Sequence, residues 1–238
     1  MKRLFGDDMM AAPDHDTHGD VVERGVQDRL IEAAEELFCR RGFNETSVRD
    51  IAAVAGCNIA SVNYYFGGKD NLYLEVWRRR LAFMRETRLA SIEKVMSASG
   101  RPQLEDLLRS YAASFIEPLV DGSSHCRFIN LMAREMIDPH LPKDMYVTEM
   151  VAPVLEAFRR ALLEICPWLE KENVPMVVFS VVGQLLMHTV FVKGMFEGSS
   201  HPELSKIDLD RIVNHVVEFS AAGIRGYADG AERGCKPV

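Results

Sequence analysis

The sequence predicts an all-α protein: a three-helix head containing a helix-turn-helix, followed by a six-helix body. Apolar residues recur at helical spacing along most of the 238 residues. No run pairs β-branched alternation with the turn residues that a sheet needs. Glycines and prolines divide the pattern at lengths that suit helices.

The chain opens with a stretch rich in Asp, His, Gly and Pro, read as a disordered tail over 1–21. Lys2 and Arg3 are followed by Asp7 and Asp8 before any apolar run, so no signal peptide is expected. The first helix is expected from Val22 to Arg41, with Leu30, Ala34, Leu37 and Phe38 on one apolar face and Gly42 at its end. Thr46 or Ser47 then caps a short helix by accepting a backbone N–H bond. Its buried stripe is Val48, Ile51, Ala52 and Ala55. Gly56 stops it, and Asn58 caps a second short helix from Ile59 to Phe66. Gly67-Gly68 ends that one, and Lys69-Asp70 open a long helix to about Ser97. Further helices are expected over 102–120, 124–137, 143–166, 174–196 and 208–228, with breaks at Pro102, Pro139, Pro142, Pro167 and Pro202. Pro153 should kink or split the 143–166 helix. The segment from Gly198 to Pro202 reads as a loop, and 231–238 as a loose tail.

Two short helices around the Ala55-Gly56-Cys57 turn can work as a reading head only if the second is anchored with one face free. On a helical wheel Ile59, Val62 and Phe66 fall together and are expected to bury against Val48, Ile51 and Ala52. Ala60, Ser61 and Tyr64 fall opposite, flanked by Asn63 and Tyr65. Ala60 and Ser61 let the backbone approach DNA closely. Asn63 offers a donor and an acceptor to a base edge, most naturally adenine. Tyr64 and Tyr65 offer hydroxyls to phosphates. Lys69 stands at a helix start, where its ammonium and free N–H groups favour a phosphate. Thr46, Ser47 and Arg49 are expected to hold phosphates on the other side.

Charge limits the kind of contact. Lys and Arg total 28 against 35 Asp and Glu, a formal charge of −7. A broad basic coat is therefore excluded, and contact with nucleic acid must be local and shaped. The five cysteines (Cys39, Cys57, Cys126, Cys166, Cys235) contain no Cys-x-x-Cys pair. Free thiols in a reducing cytoplasm are expected, with no metal site and no cofactor.

The segments Arg29-Leu-Ile-Glu-Ala-Ala-Glu-Glu-Leu-Phe-Cys-Arg-Arg-Gly-Phe43, Thr46-Ser-Val-Arg-Asp-Ile-Ala52, Ala55-Gly56 and Asn63-Tyr-Tyr-Phe-Gly-Gly-Lys69 resemble the TetR/AcrR family of transcriptional regulators. The resemblance covers about residues 24–70. It implies an all-helical homodimer with two reading heads and a C-terminal domain that often binds a small molecule. It also implies DNA contacts for Thr46, Ser61, Tyr64, Tyr65 and Lys69. Ile59 stands where Lys is common in the family, and Asn63 where Tyr is common. Those departures bear on the operator sequence. Ala133-Arg-Glu-Met-Ile-Asp-Pro139 and Phe179-Ser-Val-Val-Gly-Gln184 resemble, more loosely, the CecR-type branch.

The domains that follow are 22–70 for DNA binding and 71–230 for ligand binding and dimerisation. In the body, polar groups such as His125, Asn130, Arg134, Glu135, Glu149, Gln184 and His188 lie among apolar neighbours. Phe115, Phe128, Met132, Arg134, Met136, Met150, Gln184, Met187 and His188 are the expected ligand contacts. The stretch from Val174 to Val192 has no formal charge over 19 residues. Ser180, Gln184 and His188 make a polar stripe along it, which favours a helix facing protein over one facing lipid. The 174–196 and 208–228 helices are the expected homodimer contact.

The expected function is a DNA-binding transcriptional regulator, a repressor released from a double-stranded operator by a small apolar effector. One alternative is a regulator without a ligand, controlled by a protein partner or thiol oxidation. The second, an all-α enzyme, finds no metal-ligand pair at i, i+4, no nucleophile elbow and no phosphate loop in the sequence.

Overall fold

The computed structural model describes residues 17–120, 131–132, 134–188 and 208–232. No strand occurs among the described residues. The helices are α1 (Thr17–Arg41), α2 (Val48–Ala55), α3 (Ile59–Phe66), α4 (Lys69–Met96) and α5 (Leu104–Val120), then α6 (Ala152–Ile165), α7 (Val174–Leu186) and α8 (Leu209–Glu232). The chain divides between Val76 and Trp77 into two compact units, so α4 begins in one and continues in the other.

In the first unit, α1 packs on α2 and α2 on α3. The apolar face of α1 is fully enclosed: Leu30, Ala34, Leu37 and Phe38 are all buried. Phe38, Phe43 and Tyr73 form an aromatic cluster with centroids 4.9–5.8 Å apart. It fastens the start of α4 to the end of α1, since non-parallel ring contacts add to area burial.

In the second unit, α8 packs on α5 and α7, and α6 packs on α5 and α7. Tyr111 and Phe158 meet at 4.4 Å at its centre, both almost fully buried. Arg225 pairs with Glu105, and Arg109 donates to Asn214 at 2.6 Å, so α8 is tied to α5 at two levels. Glu135 is structural: its Oε1 accepts the His140 and Leu141 N–H groups at 2.7 and 2.6 Å.

The expected 143–166 helix does not run as one regular α-helix, and its change of character falls at Pro153. A π-helical turn over Val147–Val151 precedes α6, and Pro153 then occupies its first turn. The Ala152 N–H bonds back to the Val147 carbonyl five residues earlier, as a π-turn requires, and Pro153, which has no N–H to donate, follows it directly. The expected loop at Gly198–Pro202 and both expected tails lie wholly or mainly outside the described residues. So do His125, Cys126, Phe128, Asn130, Cys235 and the end of the 174–196 helix. No helix of the described residues is long and apolar enough to cross a membrane.

Candidate nucleic-acid interface

Local chemistry sets the two short helices. Ser47 is the cap of α2: its Oγ accepts the Asp50 N–H at 3.1 Å, while the Asp50 carboxylate accepts the Ser47 N–H at 3.3 Å. This reciprocal box satisfies two otherwise unpaired donors. The Ser47 hydroxyl also donates to Asp50 at 2.6 Å. These bonds hold the Asp50 carboxyl below its usual range, with the nearby Arg41 and Arg49 charges adding to the effect. At the other end Gly56 takes φ +64°, and its N–H and that of Cys57 bond back to α2 carbonyls. Asn58 Oδ1 then accepts the Ala60 N–H at 2.9 Å to start α3. Arg29 braces the turn from α1, donating to the Ala55 carbonyl at 3.3 Å and to Cys57 Sγ at 3.7 Å. Nothing in the sequence around Arg29 marks it for that task.

The anchor of α3 is Val62, with 0% exposure. Opposite it, Ala60 and Asn63 are exposed, Ser61 is half-buried and Tyr64 is 75% exposed. Tyr65 is half-buried and meets the Tyr64 ring edge-on at 4.8 Å. Ser47 and Arg49 are exposed at the start of α2. The structure thus gathers Ser47, Arg49, Ala60, Ser61, Asn63, Tyr64 and Tyr65 on the helix-turn-helix, none of them fully buried.

Three expectations need correction. Ile59 is 47% exposed, not buried against α2. Side chains lean toward a helix's N-terminus, so a residue at the first position overhangs the end that α2 does not cover. Thr46 is only 1% exposed, and its hydroxyl donates to the Gly42 carbonyl at 2.7 Å. It satisfies the end of α1, and almost nothing of the residue reaches solvent. Lys69 turns its ammonium inward, donating to the carbonyls of Phe43 at 3.0 Å and Thr46 at 3.1 Å. Those oxygens lie far away in sequence, which is why its position at a helix start suggested a phosphate instead.

The expected ligand residues do not form one group. Phe115 and Met150 meet at Arg88, whose guanidinium lies 3.8 Å from the Phe115 ring centre and donates to Met150 Sδ at 3.0 Å. Gln184 is committed elsewhere, donating to the Ser180 carbonyl and to the Ser220 hydroxyl, each at 3.2 Å. His188 faces His215 with ring centroids 6.5 Å apart, and Met187 is exposed. Arg134 and Met136 lie exposed on the short helical stretch 134–137, and Met132 is half-buried before it. Arg88, Tyr111 and Tyr146 were not legible as a group, because they come from three separate segments with no shared motif.

Residues 30–76 match the family described as bacterial regulatory proteins, tetR family. Residues 111–223 match the tetracyclin repressor-like C-terminal domain. The HTH-type transcriptional dual regulator CecR of Shigella flexneri is 28% identical over 131 residues, 53% of this chain and 58% of CecR. YttP of Bacillus subtilis, described as a probable HTH-type transcriptional regulator, is 27% identical over 53% of this chain and 62% of its own length. The chain therefore spans about three-fifths of these curated relatives. A TetR-like transcriptional regulator from a Rhodococcus species has the same fold, with a TM-score of 0.60, 18% identity, and coverage of 84% of this chain and 96% of that one. FadR from Bacillus subtilis, solved with stearoyl-CoA, gives a TM-score of 0.63 at 19% identity over 83% of this chain and 98% of that one. With both the helix-turn-helix head and the C-terminal domain matched, this chain belongs to the TetR family of bacterial regulatory proteins.

Proposed function

We propose that the protein is a dimeric, sequence-specific DNA-binding regulator, a repressor that leaves its operator when a small ligand occupies the body. The observation that carries this reading is the division of α3. Val62 is wholly enclosed, while Ala60, Asn63 and Tyr64 are open to solvent on the other side. A recognition helix needs that division, and the small residues let its backbone approach the major groove. With a formal charge of −7, affinity must come from this shaped contact and a few phosphate bonds.

The outward sides of α7 and α8 support the dimer. Met176 and Phe179 on α7 and Met187 just past its end are exposed, as are Phe219 and Tyr227 on α8. Between the two helices lies a cleft of about 280 Å³ lined by Ser180, Gln184, Phe219 and Tyr227, among others. An apolar surface of this kind is best covered by its own symmetry copy. Two heads would then read half-sites about one DNA turn, roughly 34–36 Å, apart. A ligand releases the operator only as far as its affinities for the two states differ.

The test is a footprint by the full chain on the DNA flanking its own gene. Two protected half-sites about one helical turn apart are expected. Loss of the operator footprint in Asn63→Ala, with non-specific affinity for shuffled DNA unchanged, would place specificity on α3. No protection anywhere along that DNA overturns the reading.

A further inference from the structure

Arg88 is only 7% exposed, and burial disfavours its charged form. A guanidinium does not escape that penalty by losing its proton. It needs partners, and buried charges almost always have them. Among the described residues the partners of Arg88 are weak. One N–H points to the Met150 thioether, the cation lies over Phe115, and Nε is buried with no acceptor. No described carboxylate pairs with it.

Two phenols complete the surroundings. Tyr111 is enclosed and Tyr146 half-buried, each close enough for the Arg88 charge to act on its ionisation. Burial outweighs that charge: the Tyr111 phenol is pushed up to about 12, and that of Tyr146 is raised as well. Both remain O–H donors at neutral pH. The cationic fork and two neutral phenols thus lie within electrostatic reach of one another, and the only described acceptor for the cation is a sulfur.

We infer that Arg88, Tyr111 and Tyr146 form an anion subsite for the carboxylate of an amphipathic ligand, whose apolar part lies against Phe115 and Met150. This rests on the ligand-responsive reading above and names its chemical class. A carboxylate matches the planar guanidinium with two parallel bonds. Its single charge cancels that of Arg88, whereas a doubly charged phosphate would leave net charge in an apolar setting. The thioether is a weak acceptor on a flexible side chain, so a carboxylate oxygen displaces it readily.

The experiment is thermal unfolding of the full chain with decanoate, and with decan-1-ol as the uncharged match. Decanoate should raise the wild-type midpoint by several degrees, and decan-1-ol should not. Arg88→Met should unfold no earlier than wild type without additive and should lose the decanoate shift. Tyr146→Phe removes one hydroxyl and should weaken decanoate binding about tenfold while leaving the unliganded midpoint in place. Three results overturn the subsite: no wild-type shift, an equal shift in Arg88→Met, or an unliganded Arg88→Met that has lost its fold while Tyr146→Phe binds decanoate as wild type does. Operator binding by fluorescence anisotropy is read separately. Decanoate that binds without releasing DNA refutes the effector reading and leaves the subsite standing.

Discussion

The ammonium of Lys69 lies 4.1 Å above the centre of the Phe43 ring and donates to the carbonyl oxygen of the same residue at 3.0 Å. A third contact, to the Thr46 carbonyl at 3.1 Å, makes this cation the clasp of the loop between α1 and α2. That loop leads directly into the cap of α2, so the clasp helps to set where the reading helix stands. Lys69→Met should therefore destabilise the head by about 2 kcal/mol, the scale of hydrogen bonds to a charged group. DNA affinity should fall on every sequence while the salt dependence keeps its slope. A slope lower by about 0.9 with stability unchanged would show instead that the ammonium neutralises a phosphate.

The contrast between Lys69 and Ser47 explains what the sequence discloses. The Ser47–Asp50 box closes within three residues, so its signal is complete in the local sequence. The same holds for Gly56 and Asn58, and for the helical stripe containing Ile51 and Ala52. Lys69 finds its acceptors 26 and 23 residues away, and Arg88 meets Met150 at a separation of 62. Such partners are set by how helices pack, which periodicity does not encode. Ile59 failed for a smaller reason. A wheel gives the direction of a side chain but not where the neighbouring helix ends.

Tyr64 and Asn63 are both exposed on α3, but their proposed tasks differ. Tyr64→Phe removes a hydroxyl offered to the DNA backbone. It should weaken binding roughly equally on all sequences and leave the unfolding midpoint unchanged. Asn63→Ala should instead relax discrimination at one base pair by about 1–3 kcal/mol. Binding to a panel of single-base operator variants separates the two. A uniform loss in Asn63→Ala would remove it from base reading.

Gly56 holds φ +64°, and nothing lies within 4 Å of where a Cβ would stand. Gly56→Ala therefore meets no clash, and its whole cost is backbone strain. A loss of about 1–2 kcal/mol is expected from that left-handed conformation. Urea unfolding should show a lower midpoint with the same slope. A change well beyond that range would mean that α2 and α3 had lost their mutual setting.

His188 supplies a pH dependence. Its Nδ1 is buried without a partner among the described residues, and the His215 ring stands opposite. Burial, then the like charge of His215, lowers its pKa below the 6.5 of an ordinary histidine. Between that lowered value and 6.5 the unfolded chain holds more protons on this group than the folded chain does. Stability from this group is therefore full above the ordinary histidine range and is lost as acid is added through it. Urea midpoints at about pH 7.5 and about pH 5.5 should fall with acid in the wild type, and by less in His188→Gln. His215→Gln should narrow the difference by a smaller amount, since it removes only the second cause. Equal falls in all three proteins would assign the acid sensitivity to other groups.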